Sequence, residues 1–523
     1  MKNSLKYLLC AVVLLSSCDS FLDKVPDSRT ELNSADKVTK LLVSAYPSFT
    51  SILMAEMASD NAMDNGSKYE VSDKLQEEAY LWDKLTAQSN DSPSNLWQGC
   101  YASVAVANQA LQAIDAMGNS ANLQPQRGEA LMCRAWAHFQ LALIFCKTYN
   151  PETASQDLGL PYSSAPETTV KPNYKRGSLA QLYQNIQKDI EEALPLIDNN
   201  LYSVPKYHFN RKAAYAFAAR FYLYTQQWEA CIEAATEVLG SNPTSLLRNW
   251  NTIHNMARDY ESRCNAYIAE SSAANLLIQT AYSDMPFWLG ATAYGARYGH
   301  NNVNIAQKET YFMDGIWGNL DEGTGLYMGH STWGLEQKVC YSKYSMYAEY
   351  TDKVAGTGYR RSVTVMLSTN ETLLCRAEAY AHLKDYDHSI QDINYWIQTN
   401  TLDGKTITAN SIDNIYGDMK YMEATDGTPL PANENGTPKK RFHPVGFTVE
   451  DGRQENFLQC ILHLRRCETM MDGLRWFDIK RFGIEIAHNR DGMKADILHQ
   501  DDPRRVFQIP DDVISAGIEP NPR

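Results

Sequence analysis

Missing motifs narrow the function of this chain first. It contains no H-E-x-x-H, no G-x-S-x-G and no P-loop, the short signatures of zinc peptidases, serine hydrolases and nucleotide-using enzymes. It contains no C-x-x-C pair, which removes the usual zinc ribbons and thiol redox centres. There is no basic run, and 48 Lys and Arg against 62 Asp and Glu leave a net charge of -14. A surface this acidic repels phosphate backbones and anionic headgroups, so nucleic acid is not an expected partner. A glycosidase needs two carboxylates flanking the scissile bond, but among 62 acidic residues chance pairs carry no weight. No Gly/Ser-rich or Pro-rich linker interrupts the 523 residues, which points to one large domain with long insertions.

What is present starts at the N-terminus. Lys2 and Lys6 precede a short apolar run at 7–15, followed by Leu15-Ser16-Ser17-Cys18. A basic start, a short apolar run and small residues form a secretory signal over 1–17, too short for a membrane span of about 20 residues. The cysteine directly after it looks like a lipobox, in which Cys18 is acylated and becomes the new N-terminus. Several acyl chains give stable anchoring, since each buried CH₂ contributes roughly 0.8 kcal/mol. Removing Lys2 and Lys6 makes the charge -14 - 2 = -16. Nine cysteines remain beyond Cys18, an odd number at apolar helical positions, and they read as buried thiols without a disulfide framework or a metal site.

Apolar spacing of three and four residues predicts helices at 96–117, 128–146, 178–197, 211–226, 228–239, 369–383, 386–398 and 457–472. In the second, Leu131, Ala135, Phe139 and Ala142 share one face. Two helix pairs repeat each other. Ala219, Tyr222, Trp228 and Ile232 return as Ala377, Tyr380, Tyr386 and Ile390 at one offset (380 - 222 = 158). A small residue, an aromatic, a short turn and a second aromatic make the wedge packing of tetratricopeptide-type hairpins. The expected fold is therefore mainly α, an α/α superhelix of tetratricopeptide-like hairpins at about 96–146, 178–239, 369–398 and 457–472. Its repeat aromatics are core. Two stretches break the pattern and read as irregular insertions, 267–350, dense in Gly, Asn and aromatics with a candidate strand at 274–278, and 404–452, with turn signals at Asp426-Gly427 and Asn435-Gly436.

Several motifs follow one another along the chain. Cys18-Asp19-Ser20-Phe21-Leu22-Asp23 and Pro26 come first, then Arg127-Gly128-Glu129-Ala130 with Arg134-Ala135. Leu464-Arg465-Arg466-Cys467-Glu468, Asp472-Gly473-Leu474-Arg475, Asp478 and Arg481 come next, and Phe507-Gln508-Ile509-Pro510 and Pro520-Asn521-Pro522 close the series. Together, and most strongly in the third set, they resemble a known family, the SusD/RagB group of outer-membrane lipoproteins. Asp472 stands where the family more often has Glu, and Cys467 is unusual. Arg475, Asp478 and Arg481 lie three apart on one helical face and read as a structural ion network, outside any ligand site.

The resemblance implies a surface-exposed outer-membrane lipoprotein that captures oligosaccharides and acts as a hinged lid on a TonB-dependent transporter, without catalysis or cofactor. An oligopeptide-binding subunit of the same kind is the nearer alternative, a surface glycosidase or peptidase the farther one. A pure protein-docking scaffold is a third. Sugars present apolar C–H faces and hydroxyls, so a glycan site wants exposed aromatics interleaved with amides, acids or Arg. The insertion supplies Trp288, Tyr294, Arg297, Tyr298, Trp317 and Trp333, and an N-terminal stretch supplies Tyr80, Trp82 and Asp83. Asp60-Asn61-Ala62-Met63-Asp64 superficially resembles a calcium loop, but Ala62 occupies a ligand position and no Glu follows at the required spacing, so no metal is expected there.

Overall fold

The structure is a computed structural model that describes residues 31–167, 174–291, 296–335, 338–422 and 437–523. The expected signal, Cys18 and Tyr294 lie outside them.

Three short helices open the described chain, α1 (Ala35–Leu42), α2 (Ile52–Ala58) and α3 (Lys74–Tyr80). The superhelix follows with α4 (Pro93–Ala116), α5 (Gln124–Phe145), α6 (Leu179–Ala193), α7 (Arg211–Tyr224) and α8 (Trp228–Leu239). The short α9 (Trp250–Asn255), α10 (Tyr260–Ile268) and α11 (Met285–Leu289) lead into the first insertion. The superhelix resumes with α12 (Thr369–His382) and α13 (Tyr386–Asn400), then α14 (Ala409–Asp418), α15 (Arg453–Glu468), α16 (Leu474–Arg481) and the short α17 (Asp511–Ser515). Helix starts carry the chemistry their free N–H groups require. Ser92 accepts from Asn95 N with Pro93 in the first turn, and Ser178 forms a capping box with Gln181. Helix α4 packs on α5, α5 on α6, α7 on α8, α8 on α12, and α12 on both α13 and α15.

The sequence repeat is also a repeat of backbone. At the turn between α7 and α8, Gln226 has φ +63°, and at the turn between α12 and α13, Lys384 has φ +61°. The two positions are related by the same offset of 158 that relates Tyr222 to Tyr380. In both turns the next amide closes back on the aromatic's carbonyl, Gln227 N on Tyr222 O and Asp385 N on Tyr380 O, each at 2.9 Å. Left-handed backbone is unfavourable for residues with a Cβ, so its recurrence marks a hairpin geometry held by the packing of both helices.

The first insertion is more regular than its composition suggests. Strands β2 (Asn275–Tyr282), β6 (Met346–Asp352) and β7 (Thr357–Ser368) form an antiparallel sheet in the order β2-β7-β6. Two-stranded pairs join β1 (Met63–Asp64) to β3 (Tyr298–Gly299), β4 (Thr332–Leu335) to β5 (Lys338–Tyr341), and β8 (Ile486–Arg490) to β9 (Met493–Leu498). The strand expected at 274–278 is the start of β2. A contiguous apolar core runs through these elements, with Trp136, Trp317, Trp396 and Trp476 fully buried, and all nine cysteines beyond Cys18 are free and buried.

The interior also carries charge. Arg465 and Arg481 converge on Asp478 and Glu378, and Arg220 joins through Glu371. This is the ion network expected from the last motif, with one change: Arg475 grips Asp60 with two bonds of 2.8 Å and leaves Asp478 to its neighbours. Among the described residues no helix is long and apolar enough to cross a membrane.

Candidate functional site

Helix α3 organises the region where the two sets of expected ligand residues meet. Its last residue, Tyr80, stacks on His488 of β8 with ring centroids 4.1 Å apart and on Tyr298 of β3 at 4.9 Å. Trp82 lies on the far side of His488, 4.0 Å away, so four rings from three distant segments form one column. Trp82 pays for its place with a left-handed backbone, φ +52°, held by a bond from its Nε1 to Ala58 O at 2.9 Å. Tyr80 donates to Asn489, and Asn489 in turn donates to Asp64 O. Arg297 clamps Asp64 with two bonds of 2.7 Å, while the Gly66 and Asp491 amides complete that carboxylate. The column is therefore a dry joint between β1, β3 and the β8–β9 hairpin, with a polar rim.

The rings of this joint are not available to a ligand. Tyr80 is 0% exposed, Trp82 3% and Tyr298 6%. Trp317, also at 0%, packs 4.5 Å from His463 inside the superhelix. The expectation that these four are exposed platforms fails because each closes a gap between elements, and ring burial is worth more there than a hydrogen-bonded surface position. Arg297 is half-buried on the rim and Asp83 is exposed. Trp333 stands on β4 opposite Cys340, and its side chain lies outside the description.

At the other end of α3 the aromatics do reach solvent. Asp73, which caps α3, feels the charges of Asp284 and Arg360. Asp284 begins α11, whose Phe287 and Trp288 are half-buried and meet edge to face at 4.8 Å. Arg360 of β7 lies 3.9 Å over Phe287 and pairs with Asp284 at 3.1 Å. Strand alternation puts its neighbour Arg361 on the opposite face. There Arg361 covers Tyr282 at 4.2 Å, pairs with Glu349 of β6, and sits beside Tyr359, which is 50% exposed. Tyr282 bridges Tyr359 at 5.1 Å and Phe49 at 5.6 Å. The open end of the sheet thus offers, on one face, Phe287 and Trp288 with Arg360 and Asp284 and, on the other, Tyr282 and Tyr359 with Arg361 and Glu349. Each is a mixture that recognises ring faces and hydroxyls together.

A buried carboxyl supports this end. Asp91 accepts from the Ser283 hydroxyl at 2.6 Å and from the Asp284 amide at 2.7 Å, which fixes the turn into α11. Burial pushes its pKa up to about 7, and the nearby Asp284 and Asp73 add to the rise. The Asp60 to Asn65 stretch has its charges spent within the protein. Burial alone would raise the Asp60 pKa, but Arg466 and Arg475 outweigh it and hold that carboxyl far below the usual range. Among the described residues no group of three His, Cys, Asp or Glu is placed to hold a metal ion.

Comparison with known proteins now decides the family. A family model described as starch-binding, associating with the outer membrane, matches residues 20–223, and the SusD family model matches residues 251–512, half of the chain. The chain belongs to the SusD/RagB family. Its fold is that of solved SusD-type proteins. A SusD superfamily protein from Bacteroides thetaiotaomicron is 18% identical, with a TM-score of 0.59 over 94% of this chain and 100% of that one. A SusD-like carbohydrate binding protein from Bacteroides vulgatus is 16% identical, with a TM-score of 0.62 over 92% of this chain and 96% of that one. A SusD superfamily protein from Bacteroides fragilis, 16% identical, gives 0.58 over 94% and 99%. No curated protein sequence matches.

Within this SusD/RagB chain, Trp288 and Arg297 are the expected site residues that combine partial exposure with polar or aromatic neighbours, and Asp83 is fully at the surface. Sequence reasoning missed Tyr282, Tyr359, Arg360 and Arg361, and it missed His488. Three of the four sheet residues did carry a signal, since Tyr359, Arg360 and Arg361 stand together at the start of a run with β-branched residues.

Proposed function

We propose that the protein is a cell-surface lipoprotein, anchored through Cys18, that captures glycans and hands them to a TonB-dependent outer-membrane transporter as its lid subunit, without catalysis. The observation that carries this reading is the open end of the β2-β7-β6 sheet, where Phe287, Trp288, Tyr282 and Tyr359 lie among Arg360, Arg361, Asp284 and Glu349. Family membership supports it, as does the fold shared with the SusD-like carbohydrate binding protein from Bacteroides vulgatus. Asp83, Arg297, Tyr294 and Trp333 stay further candidate ligand residues in this reading. Asp91 has the raised pKa of a general acid, but it is 1% exposed and committed to Ser283 and Asp284, out of reach of a glycosidic bond.

One observation favours the oligopeptide alternative. Among the described residues strand β6 is the outer strand of its sheet and pairs with β7 alone, and an extended peptide could add to its outer edge beside Tyr347 and Tyr350. Titration of the full chain in detergent micelles with a panel of glycans and peptide mixtures, read by tryptophan fluorescence, separates the two. Saturable binding to one glycan class, weakened tenfold or more by Trp288→Ala, about 1.4 kcal/mol, is the expected outcome. Binding to peptides alone, or cleavage of any panel member, overturns the glycan reading or the non-catalytic reading respectively.

A further inference from the structure

A cleft of 780 Å³ opens where helix α5 ends. Its walls are the loop 147–158 that follows α5, the segment 500–506 that follows β9, and Asn521 with Pro522. Lys480 of α16 and Arg505 line it, and they are only 5% and 6% exposed. Among the described residues both donate to main-chain carbonyls alone. Lys480 gives hydrogen bonds to Leu143 O at 2.8 Å and Cys146 O at 3.0 Å. Arg505 serves His499, Ile479, Ile484 and Leu498. No carboxylate forms an ion pair with either in the described residues. Burial, with the repulsion of Arg505 added, pushes the Lys480 ammonium down to about 7, and burial pushes Arg505 down to about 10.

Arg505 is drawn by Glu485, Asp502 and Asp501 without an ion pair among the described residues, and burial outweighs their attraction. Two buried cations that repel each other are costly unless something adds negative charge within contact. We propose that this cleft is a second binding site, for a ligand that carries a carboxylate on a hydroxyl-rich body, as a uronic-acid saccharide does. An ammonium has three N–H donors, and Lys480 uses two on carbonyls, which leaves one for the ligand. The rest of the lining suits hydroxyls, with Asn150, Thr153, Gln156 and Gln500 around it and no aromatic ring among the described lining residues. Selection here therefore rests on charge and hydrogen bonds, not on ring stacking. Two rim carboxylates are already matched, Asp157 by Lys147 at 2.8 Å and Asp502 by Arg504 at 2.7 Å, which blunts their repulsion of an anion. Asp501 stays exposed at the rim and favours a ligand with one charge. This site goes beyond the glycan site proposed at the open end of the sheet and does not depend on it.

The test is calorimetric titration of the full chain in detergent micelles with a galactose oligosaccharide that carries a single galacturonate residue and with its all-galactose counterpart, at pH 7 to 8 in two buffers of different ionisation heat. The acidic sugar is expected to bind at least tenfold more tightly. Binding should take up protons, because a carboxylate beside Lys480 raises its pKa, and affinity should fall as pH rises above about 7. Lys480→Met should abolish the preference for the acid. Gln500→Glu, at an exposed rim position that folding tolerates, should weaken acid binding severalfold. Equal binding of acid and neutral sugar overturns the proposal, as does acid binding without proton uptake, or binding unmoved by Gln500→Glu. If Lys480→Met does not fold, those last two outcomes still decide. Acid binding that disappears with Trp288→Ala belongs to the sheet face and also overturns it.

Discussion

Lys480 and Arg481 are neighbours on helix α16, both buried, and they live in opposite electrostatic regimes. Arg481 reaches Glu378 at 2.6 Å and Asp478 at 2.7 Å, inside a network that also holds Arg465, Glu371 and Arg220. Among the described residues Lys480 reaches only carbonyl oxygens, at the wall of a cleft. A helix turns about 100° per residue, so adjacent positions face different surroundings. On one side the protein supplies every counter-charge itself and the ions act as frame. On the other it leaves a charge without a carboxylate, which is what a binding site for an anion requires and what a frame avoids.

The largest effect should come from damaging the matched side. Glu378 sits at 0% exposure between Arg481 and Arg465. Burial alone would raise its pKa, but Arg481, His382 and Arg465 outweigh that and hold the carboxyl well below its ordinary value. Its stabilisation is then complete above the ordinary pKa of 4.5 and is lost as pH falls below it. Glu378→Gln leaves a buried guanidinium short of charge, and urea unfolding should show a loss of about 3–5 kcal/mol at pH 7. A loss under about 1 kcal/mol would mean that the network is held by hydrogen bonds alone and that the contrast with Lys480 is overstated.

The unmatched side should respond in the opposite sense. Lys480 is a base whose folded pKa, about 7, lies below its ordinary value of 10.5. Between those values the unfolded chain holds the proton and the folded chain does not, so stability rises with pH across that window, by up to about 1.4 kcal/mol per unit for this one group. Buried cysteines with raised pKa values, such as Cys133 and Cys375, pull the other way above pH 8. The measurement is therefore the difference between the native chain and Lys480→Met, taken from pH 7 to 9.5. The native chain should gain on the variant steadily as pH rises, with the variant equal or more stable at pH 7. A flat difference would place the Lys480 charge in contact with solvent.

The sequence showed the frame better than it showed the site. Helix positions follow from three- and four-residue apolar spacing, and the 158-residue repeat follows from Ala219 and Tyr222 against Ala377 and Tyr380, because burial in a superhelix is a local, periodic demand. The left-handed turns at Gln226 and Lys384 could not be read, since neither residue is one of the small types that mark such a turn. Strand β7 was missed although Val363, Val365 and Leu367 alternate, because its first three residues, Thr357 to Tyr359, are exposed and Arg360 and Arg361 that follow are charged and half-buried. The failures at Tyr80, Trp82, Tyr298 and Trp317 share one cause. A ring's exposure depends on which distant segment covers it, and here His488 and His463 do so from across the chain. The same holds for Lys480 and Arg481, which look equivalent in the motif and differ only through the carboxylates that folding brings to one of them.

The smallest effect belongs to a third regime that marks the outer limit of the contrast. Lys40 and Asp36 of helix α1 form an i,i+4 pair at 2.7 Å, as short as the Arg481 to Asp478 contact, but both side chains are 73% exposed. Distance alone would rank the two pairs together. In water the Coulomb attraction is screened and partly repaid by the cost of fixing two long side chains, so Asp36→Asn should change stability by only about 0.3–0.5 kcal/mol. That change should shrink further in 0.5 M salt, whereas the cost of Glu378→Gln should stay nearly constant, because salt does not enter the buried network. Equal salt sensitivity in the two variants would show that the Glu378 network is reached by solvent. The assignment of Lys480 as the exceptional buried charge would then lose its reference point.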